Sequence, residues 1–148
     1  MIVGRWSALA LLCALLLPVA VAVAADEPER IEGEKAQQIA RLLGEASGKL
    51  KDLPLKVTPE AEKAVGLRAG EHGVLLVPAS GLKADALKAL DKDVVPVGML
   101  YARRLTPVAA DQPVPASDHN TVEVTVKDEQ VKITVMQLGV TKVAGRLV

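Results

Sequence analysis

Thr121-Val-Glu-Val-Thr-Val-Lys127, followed after Asp128-Glu-Gln130 by Val131-Lys-Ile-Thr-Val-Met136, alternates apolar and polar side chains with a period of two. Successive side chains of a β-strand point to opposite faces, so this pattern gives each run one apolar face and one polar face. Two such runs around a short polar turn predict an antiparallel β-hairpin. We therefore expect an antiparallel sheet near the C-terminus, with one face buried and one face in water.

A helical pattern lies N-terminal to this hairpin, over residues 29–53. Apolar residues recur there at alternating spacings of three and four, glutamates cluster in the first turns, and Pro54 follows. This pattern predicts an amphipathic helix that covers the sheet. The same spacing also fits a short coiled-coil seam, so a dimer contact through the helix stays open. The stripe expected to be buried is Ala36, Ile39, Leu43, Ala46, Leu50 and Leu53.

Shorter elements are predicted between the helix and the hairpin. Residues 55–91 should hold a strand at 55–57, a helix at 59–65 that stops at Gly66, a buried strand at Gly73–Val77 and a helix at 82–91. Residues 94–148 read as β-rich, with an interrupted strand over 94–105, a loop over 106–120 that contains three prolines, the hairpin, and a third strand of a meander over 140–148.

The fold class that follows is α+β. An amphipathic N-terminal helix and short helices pack on an antiparallel sheet that ends in a C-terminal β-hairpin or meander. One domain over residues 25–148 is long enough to bury an unaided core.

The first 24 residues have the pattern of a signal peptide. Arg5 precedes an uncharged run from Trp6 to Ala25, Pro18 interrupts that run, and Ala22-Val-Ala24 supplies a cleavage site of small residues. We expect export through a cleavable signal peptide, to a periplasmic or secreted location. The alternative is an uncleaved anchor, since 20 uncharged residues can span a bilayer.

The chain left after cleavage has a composition that argues against several function classes. Cys13 and Arg5 are lost with the leader, so no thiol remains, and 17 Lys+Arg stand against 18 Asp+Glu. A near-neutral chain has no net positive charge to attract the phosphates of a nucleic acid. Its one aromatic residue, Tyr101, is too few for the stacking of successive bases. We expect an aliphatic core, no cofactor, no nucleic-acid partner, and contact with a membrane only through an uncleaved leader. A protein or peptide partner remains open.

Ser80 is the candidate nucleophile. It follows a buried strand and opens a predicted helix, where free backbone N–H groups stabilise an oxyanion. Lys83 stands at Ser-x-x-Lys spacing from it, and His119 is a further candidate base, but the Gly-x-Ser-x-Gly elbow and the companion motifs are missing. The simpler expectation for Ser80 is a helix N-cap.

The charged candidates carry weaker signals. His72 and His119 are the two histidines, and a metal site would need both of them plus a carboxylate, although no spacing supports one. We expect solvated turn histidines and no metal. Arg103 and Arg104 are adjacent on a predicted strand, so they should face opposite sides as a solvated pair and not form one basic patch.

Gly73-Val-Leu-Leu-Val77 followed by Ser80-Gly-Leu-Lys-Ala-Asp85 resembles the strand and turn of PDZ domains. The Gly-Asp pair of that turn is Ala84-Asp85 here, and no clear carboxylate-binding loop precedes the strand, the nearest candidate being Val65-Gly-Leu67. The resemblance implies capture of a C-terminal peptide by strand addition along Gly73–Val77.

The functional expectation is reached by elimination: an exported, non-catalytic domain with a binding or structural role outside the cytoplasm. The alternatives are a PDZ-like peptide-binding module and a small serine hydrolase that uses Ser80.

Overall fold

The computed structural model describes residues 27–51, 53–88, 93–109, 111–126, 128–143 and 146–147. The predicted signal peptide over residues 1–24 lies outside this range. Within the described part, no helix has both the length and the apolar character needed to cross a bilayer.

A six-stranded antiparallel sheet forms the body of the protein, which makes the fold α+β. The strands in chain order are β1 (Glu29–Ile31), β2 (Val65–Ala69), β3 (His72–Pro78), β4 (Val95–Arg103), β5 (Val108–Ala109), β6 (Gln112–Pro113), β7 (Asn120–Val126), β8 (Glu129–Val140), β9 (Lys142–Val143) and β10 (Arg146–Leu147). The sheet order is β1-β2-β3-β4-β8-β7, while β5–β6 and β9–β10 form separate two-stranded pairs.

The hairpin predicted from the alternating stretch is present as β7 and β8. Val122 lies opposite Ile133, and Val124 lies opposite Val131, so the apolar residues of both strands share one buried face. Val135, farther along β8, is also on this face and pairs with Tyr101 of β4. The buried side of the sheet is therefore the one that the period-two pattern indicated.

The helix α1 (Gly33–Ser47) packs across this buried face. It is shorter than the helix predicted over 29–53, because residues 29–31 pair with β2 instead and Gly33, the first residue of the helix, has a left-handed φ of 65°. Gly48 follows its last turn and donates to the carbonyl of Gly44 at 2.9 Å.

The buried stripe of α1 is displaced from the predicted one. Its buried residues are Ala36, Ala40, Leu43 and Ser47. Ile39 and Ala46 are half-buried at the side of this stripe. Small residues let the helix approach the sheet closely, so they occupy the line of contact and the larger Ile39 lies beside it.

The segment between α1 and β3 differs most from the expectation. The strand predicted at 55–57 is irregular, and Gln137 of β8 holds it through its side chain, whose Oε1 accepts from the Leu55 N–H at 2.8 Å. The helix predicted at 59–65 is a 3₁₀ turn over Ala61–Lys63, followed directly by β2. Gly66, expected to stop a helix, is a strand residue: an added Cβ would lie 2.9 Å from the Val74 carbonyl oxygen.

Three further expectations change in detail. The helix predicted at 82–91 is described over Ala84–Lys88, as α2, and residues 89–92 lie outside the described range. The predicted loop over 106–120 contains the β5–β6 pair and the 3₁₀ turn Ala116–Asp118. The third strand expected over 140–148 is replaced by the continuation of β8 to Val140 and by the β9–β10 pair.

The expectation of an aliphatic core is wrong in one respect. Tyr101, on the central strand β4, is 2% exposed and ranks among the most buried large side chains of the described chain. The remainder of that core is aliphatic or methionine, including Leu75, Val77 and Met99. On the opposite face of the sheet, Val65, Leu67 and Leu76 are 36%, 48% and 40% exposed.

Candidate functional site

A cavity of about 680 Å³ opens between α1 and the buried face of the sheet. It lies at the end of the sheet where the β2–β3 and β7–β8 turns are found. Ile39 and Leu42 of α1 form one wall, and the sheet supplies the floor. The apolar part of the floor consists of Leu75, Tyr101, Val124, Val131 and Ile133. These residues make the interior of the cavity predominantly apolar.

The position of the helix and a missing side chain account for this space. The part of α1 that packs closely on the sheet runs through Ala36 and Ala40. Ile39 and Leu42 lie beside this line and leave space between their side chains and the sheet. On the floor, Gly73 of β3 lies directly opposite Arg103 of β4. An added Cβ at Gly73 would meet one neighbour within 4 Å, the carbonyl oxygen of Leu67 at 3.5 Å, which is an ordinary contact. The glycine thus leaves room above Arg103.

Arg103 is a charged residue of the floor, and Arg68 of β2 lies on the same face of the sheet, on the other side of Gly73. Strand alternation puts Arg103 on the same face as Tyr101 and Met99, two and four residues away, and it lines the cavity. Its side-chain Nε is buried and has no hydrogen-bond partner. Within the part of the chain that the structure describes, its guanidinium makes no ion pair. The solvated arginine expected at this position is instead a half-buried one that faces an apolar cavity.

The neighbouring Arg104 behaves differently. It leaves the strand with a left-handed φ of 53°, is exposed, and pairs with the carboxylate of Glu71 in the β2–β3 turn. The expectation that the two arginines face apart therefore agrees with their contacts. The expectation that both are solvated does not.

The charges around the mouth of the cavity are predominantly positive. Lys35 of α1 and Arg68 of β2 line it, and Arg68 donates through Nε to the carbonyl of Gly70 at 2.9 Å. Glu71 is engaged with Arg104, which leaves Glu129 as the other carboxylate among the described lining residues. An anionic group that approached this end of the sheet would be attracted.

Tyr101 closes the deep side of the cavity. Its hydroxyl lies 3.1 Å from the Oγ of Ser47, and the Ser47 hydroxyl donates in turn to the Gly44 carbonyl at 3.1 Å. Burial raises the pKa of the Tyr101 hydroxyl, an effect that the hydrogen bond with Ser47 opposes only in part. The ring thus presents a neutral surface to the cavity at physiological pH.

Ser80 lies in an exposed turn after β3, and its backbone N–H donates to the Thr58 carbonyl at 2.7 Å. The helix it was expected to cap begins later, at Ala84, so Ser80 is not its N-cap and has no helix N-terminus beside it. Lys83 is exposed as well. In the described part of the chain, no hydrogen bond connects the Ser80 hydroxyl with Lys83 or His119.

The two histidines are far apart. His72 is exposed at the start of β3, on the rim of the cavity, while His119 precedes β7. Strands β4 and β8 lie between β3 and β7, so the two strands are separated by roughly 14 Å, or three spacings of the sheet. No group of three metal-ligating side chains occurs among the residues that the structure describes. His119 instead lines a smaller cavity of about 230 Å³ with Pro54, Pro107 and Val114, where its Nε2 is buried without a partner.

The strand of the PDZ resemblance is fully paired. Residues 73–76 of β3 pair with β2 on one side, and residues 73–77 pair with β4 on the other. A peptide therefore has no free edge to join along Gly73–Val77, which is the binding mode that the resemblance implied.

Nothing in the sequence pattern pointed to the cavity as a site. Gly73 and Arg103 are 30 positions apart, and only the register of β3 with β4 brings them together. No protein-family model matches the chain, and comparison with curated proteins and with solved structures gives no match either.

Proposed function

We propose that this protein is an exported, non-catalytic domain that binds an apolar ligand in the cavity between α1 and the sheet. The observation that carries this proposal is the cavity itself. Its volume of about 680 Å³ falls within the range of ligand pockets, roughly 300–1,000 Å³. Its composition also fits, since such pockets are mostly apolar with a few polar groups that orient the ligand.

The cavity is larger than the packing of an ordinary core leaves open. Protein interiors are close-packed, with few voids larger than a water molecule. Here Leu42 is 43% exposed and Ile39 is half-buried, on the side of α1 that overhangs the floor. A ligand seated between these residues and the sheet would remove their apolar surface from water, a gain of about 25 cal/mol for each Å².

The chemistry of the lining supports binding over catalysis. Among its described lining residues there is no serine, threonine or cysteine to act as a nucleophile. The hydroxyl of Tyr101 is held by Ser47, and burial raises its pKa, which disfavours a role as a base. Ser80, the candidate nucleophile, does not line the cavity.

Export rests on the sequence of residues 1–24. The charged start, the uncharged run and the Ala-x-Ala site together support processing by a signal peptidase. A thiol-free mature chain suits an oxidising compartment, although it does not require one.

Binding of Nile red, an uncharged dye that fluoresces in apolar surroundings, tests the proposal. The decisive variant is Gly73→Val, because valine fits a strand and its side chain would occupy the floor beside Arg103, its cross-strand neighbour. We expect the wild-type protein to bind the dye saturably with one site, and Gly73→Val to lose that binding while unfolding at a similar temperature.

Two control variants separate the cavity from other apolar surfaces. Gly44→Ala adds a methyl group to α1 where no described atom beyond the helix's own backbone and the two chain neighbours lies within 4 Å, outside the cavity lining. Leu76→Lys changes the opposite face of the same strand, where Leu76 is 40% exposed. Both should bind Nile red as the wild type does. Equal binding by Gly73→Val, or loss of binding in Leu76→Lys alone, would contradict the proposal.

A further inference from the structure

We infer that the ligand is an aliphatic monocarboxylate, a free fatty-acid-like anion, and that its carboxylate binds the guanidinium of Arg103. This inference rests on the proposed function, because it names the ligand class of the same cavity. It follows from the position of Arg103, which lines an apolar cavity while its guanidinium makes no ion pair and its buried Nε has no hydrogen-bond partner among the described residues.

The first step is the unsatisfied donor. Buried polar groups in folded proteins nearly always have a hydrogen-bond partner, and an unsatisfied one needs an explanation. The Nε of Arg103 is buried without such a partner, and no carboxylate of the described chain pairs with its guanidinium. Glu71, the acidic residue of the adjacent turn, is engaged with Arg104 instead. The guanidinium therefore has donor capacity that no acceptor of the described chain uses, and an anion in the cavity can pair with the part of it that lines the cavity.

The second step is the charge of that acceptor. Arginine remains protonated at any physiological pH, and its planar group matches a carboxylate with two parallel N–H···O bonds. Lys35 and Arg68 line the same cavity and would favour the entry of an anion. Arg68 lies on the same face of the sheet, on the other side of Gly73, but its Nε already donates to the Gly70 carbonyl. Arg103 is thus the arginine left to be paired, and one guanidinium matches the two oxygens of a single carboxylate.

The third step is the apolar part of the ligand. Two residues along the strands from the Gly73–Arg103 pair, Leu75 faces Tyr101 on the same side of the sheet. Both are almost fully buried, so the cavity deepens from Arg103 toward the centre of the sheet. Branched aliphatic side chains form most of its walls, and these pack against a flexible hydrocarbon chain without demanding a flat ring. The carboxylate then lies at Arg103 and the hydrocarbon extends over Tyr101.

Calorimetric titration with three ligands of equal chain length tests this assignment: dodecanoate, the uncharged dodecanol and the cationic dodecyltrimethylammonium. We expect dodecanoate to bind most tightly and the cation most weakly. In Arg103→Met, which keeps an unbranched side chain but no charge, affinity for dodecanoate should fall roughly ten- to hundredfold, the usual effect of losing a charged hydrogen bond. Affinity for dodecanol should change little.

Arg104→Met is the matched control, since it removes an identical charge from the next residue, which pairs with Glu71 outside the floor. Because it also frees the Glu71 carboxylate at the mouth of the cavity, it should weaken dodecanoate binding by no more than about fivefold, less than Arg103→Met does. If Arg103→Met and Arg104→Met weaken dodecanoate binding equally, or if dodecanol binds as tightly as dodecanoate, the inference is wrong while the apolar cavity still stands. If neither dodecanol nor Nile red binds the wild type, the proposed function fails as well.

Discussion

The hydroxyl groups of Ser47 and Tyr101 lie 3.1 Å apart, and this hydrogen bond joins the last turn of α1 to the central strand β4 across 54 residues of sequence. Ser47 is 4% exposed and is the buried polar side chain found in the described core. Because its own proton is donated to the Gly44 carbonyl, Tyr101 must be the donor to Ser47. The bond fixes one end of α1 to the sheet, while Ile39 and Leu42, farther toward its start, overhang the cavity.

Removing either hydroxyl should therefore destabilise the protein unequally. Tyr101→Phe leaves Ser47 bonded to Gly44, so it should cost about 1 kcal/mol, the net value of one hydrogen bond. Ser47→Ala leaves the tyrosine hydroxyl buried without an acceptor, which should lower the free energy of unfolding by about 1–3 kcal/mol. The higher helix propensity of alanine should offset about 0.5 kcal/mol of this loss.

Urea denaturation of the two single variants and the double variant measures this coupling. The double variant should be less destabilised than the sum of the single ones, because no orphaned donor remains. Strict additivity would show that the bond contributes nothing in solution.

Stability should also fall in strongly alkaline solution through Tyr101. Since burial raises its pKa in the folded state, the unfolded chain loses the tyrosine proton first, near its ordinary pKa of about 10. The contribution of the Tyr101 hydroxyl to the free energy of unfolding is fully present below that pH. It is lost as the pH rises from there through the raised pKa of the folded state. The free energy of unfolding measured between about pH 9 and about pH 11 should decline more steeply for the wild type than for Tyr101→Phe. Parallel profiles would contradict the effect of burial.

Arg103→Met should not destabilise the ligand-free protein, although it removes a half-buried charged side chain. The buried Nε has no partner to lose, and methionine places an apolar chain in the same space. We expect a free energy of unfolding equal to that of the wild type or higher by up to about 1 kcal/mol, from urea denaturation in the absence of ligand. A loss above about 2 kcal/mol would mean that Arg103 has a structural partner.

Export predicts a defined N-terminus for the mature protein. Cleavage after Ala24 removes Cys13 and Trp6, so the processed chain begins at Ala25 and carries no thiol. N-terminal sequencing of the protein recovered from the cell envelope or medium should begin at Ala25, and a maleimide reagent should fail to label residues 25–148. A full-length, thiol-reactive protein in the cytosol would contradict export.

Sequence patterning predicted those parts of the fold that depend on local periodicity. The valines of β7 and β8 alternate strictly, so their pairing and buried face followed from the chain itself. The prediction of a helix that stops at Gly66 was wrong, because glycine is found both where helices end and where strands approach each other closely. Here the Val74 carbonyl packs against its backbone, a contact that no local pattern reveals.

The cavity could not be predicted for a different reason. It depends on the rotation of α1, which buries Ala36 and Ala40 and leaves Ile39 beside them, and on the register that sets Gly73 against Arg103. Both are tertiary features. The sequence contained one useful signal, an arginine at the end of a predicted strand. Which face of the sheet that arginine occupies is known only from the structure.

Quenching of Tyr101 by a brominated ligand tests the central claim most directly. In the full-length chain with Trp6→Phe, Tyr101 is the only tyrosine or tryptophan, and it forms the floor of the cavity. Titration with ω-bromododecanoate should quench its fluorescence saturably, unmodified dodecanoate should reverse the quenching by competition, and adding Gly73→Val should abolish it. Absence of quenching, or quenching that Gly73→Val leaves unchanged, would show that the space between α1 and the sheet does not hold the ligand.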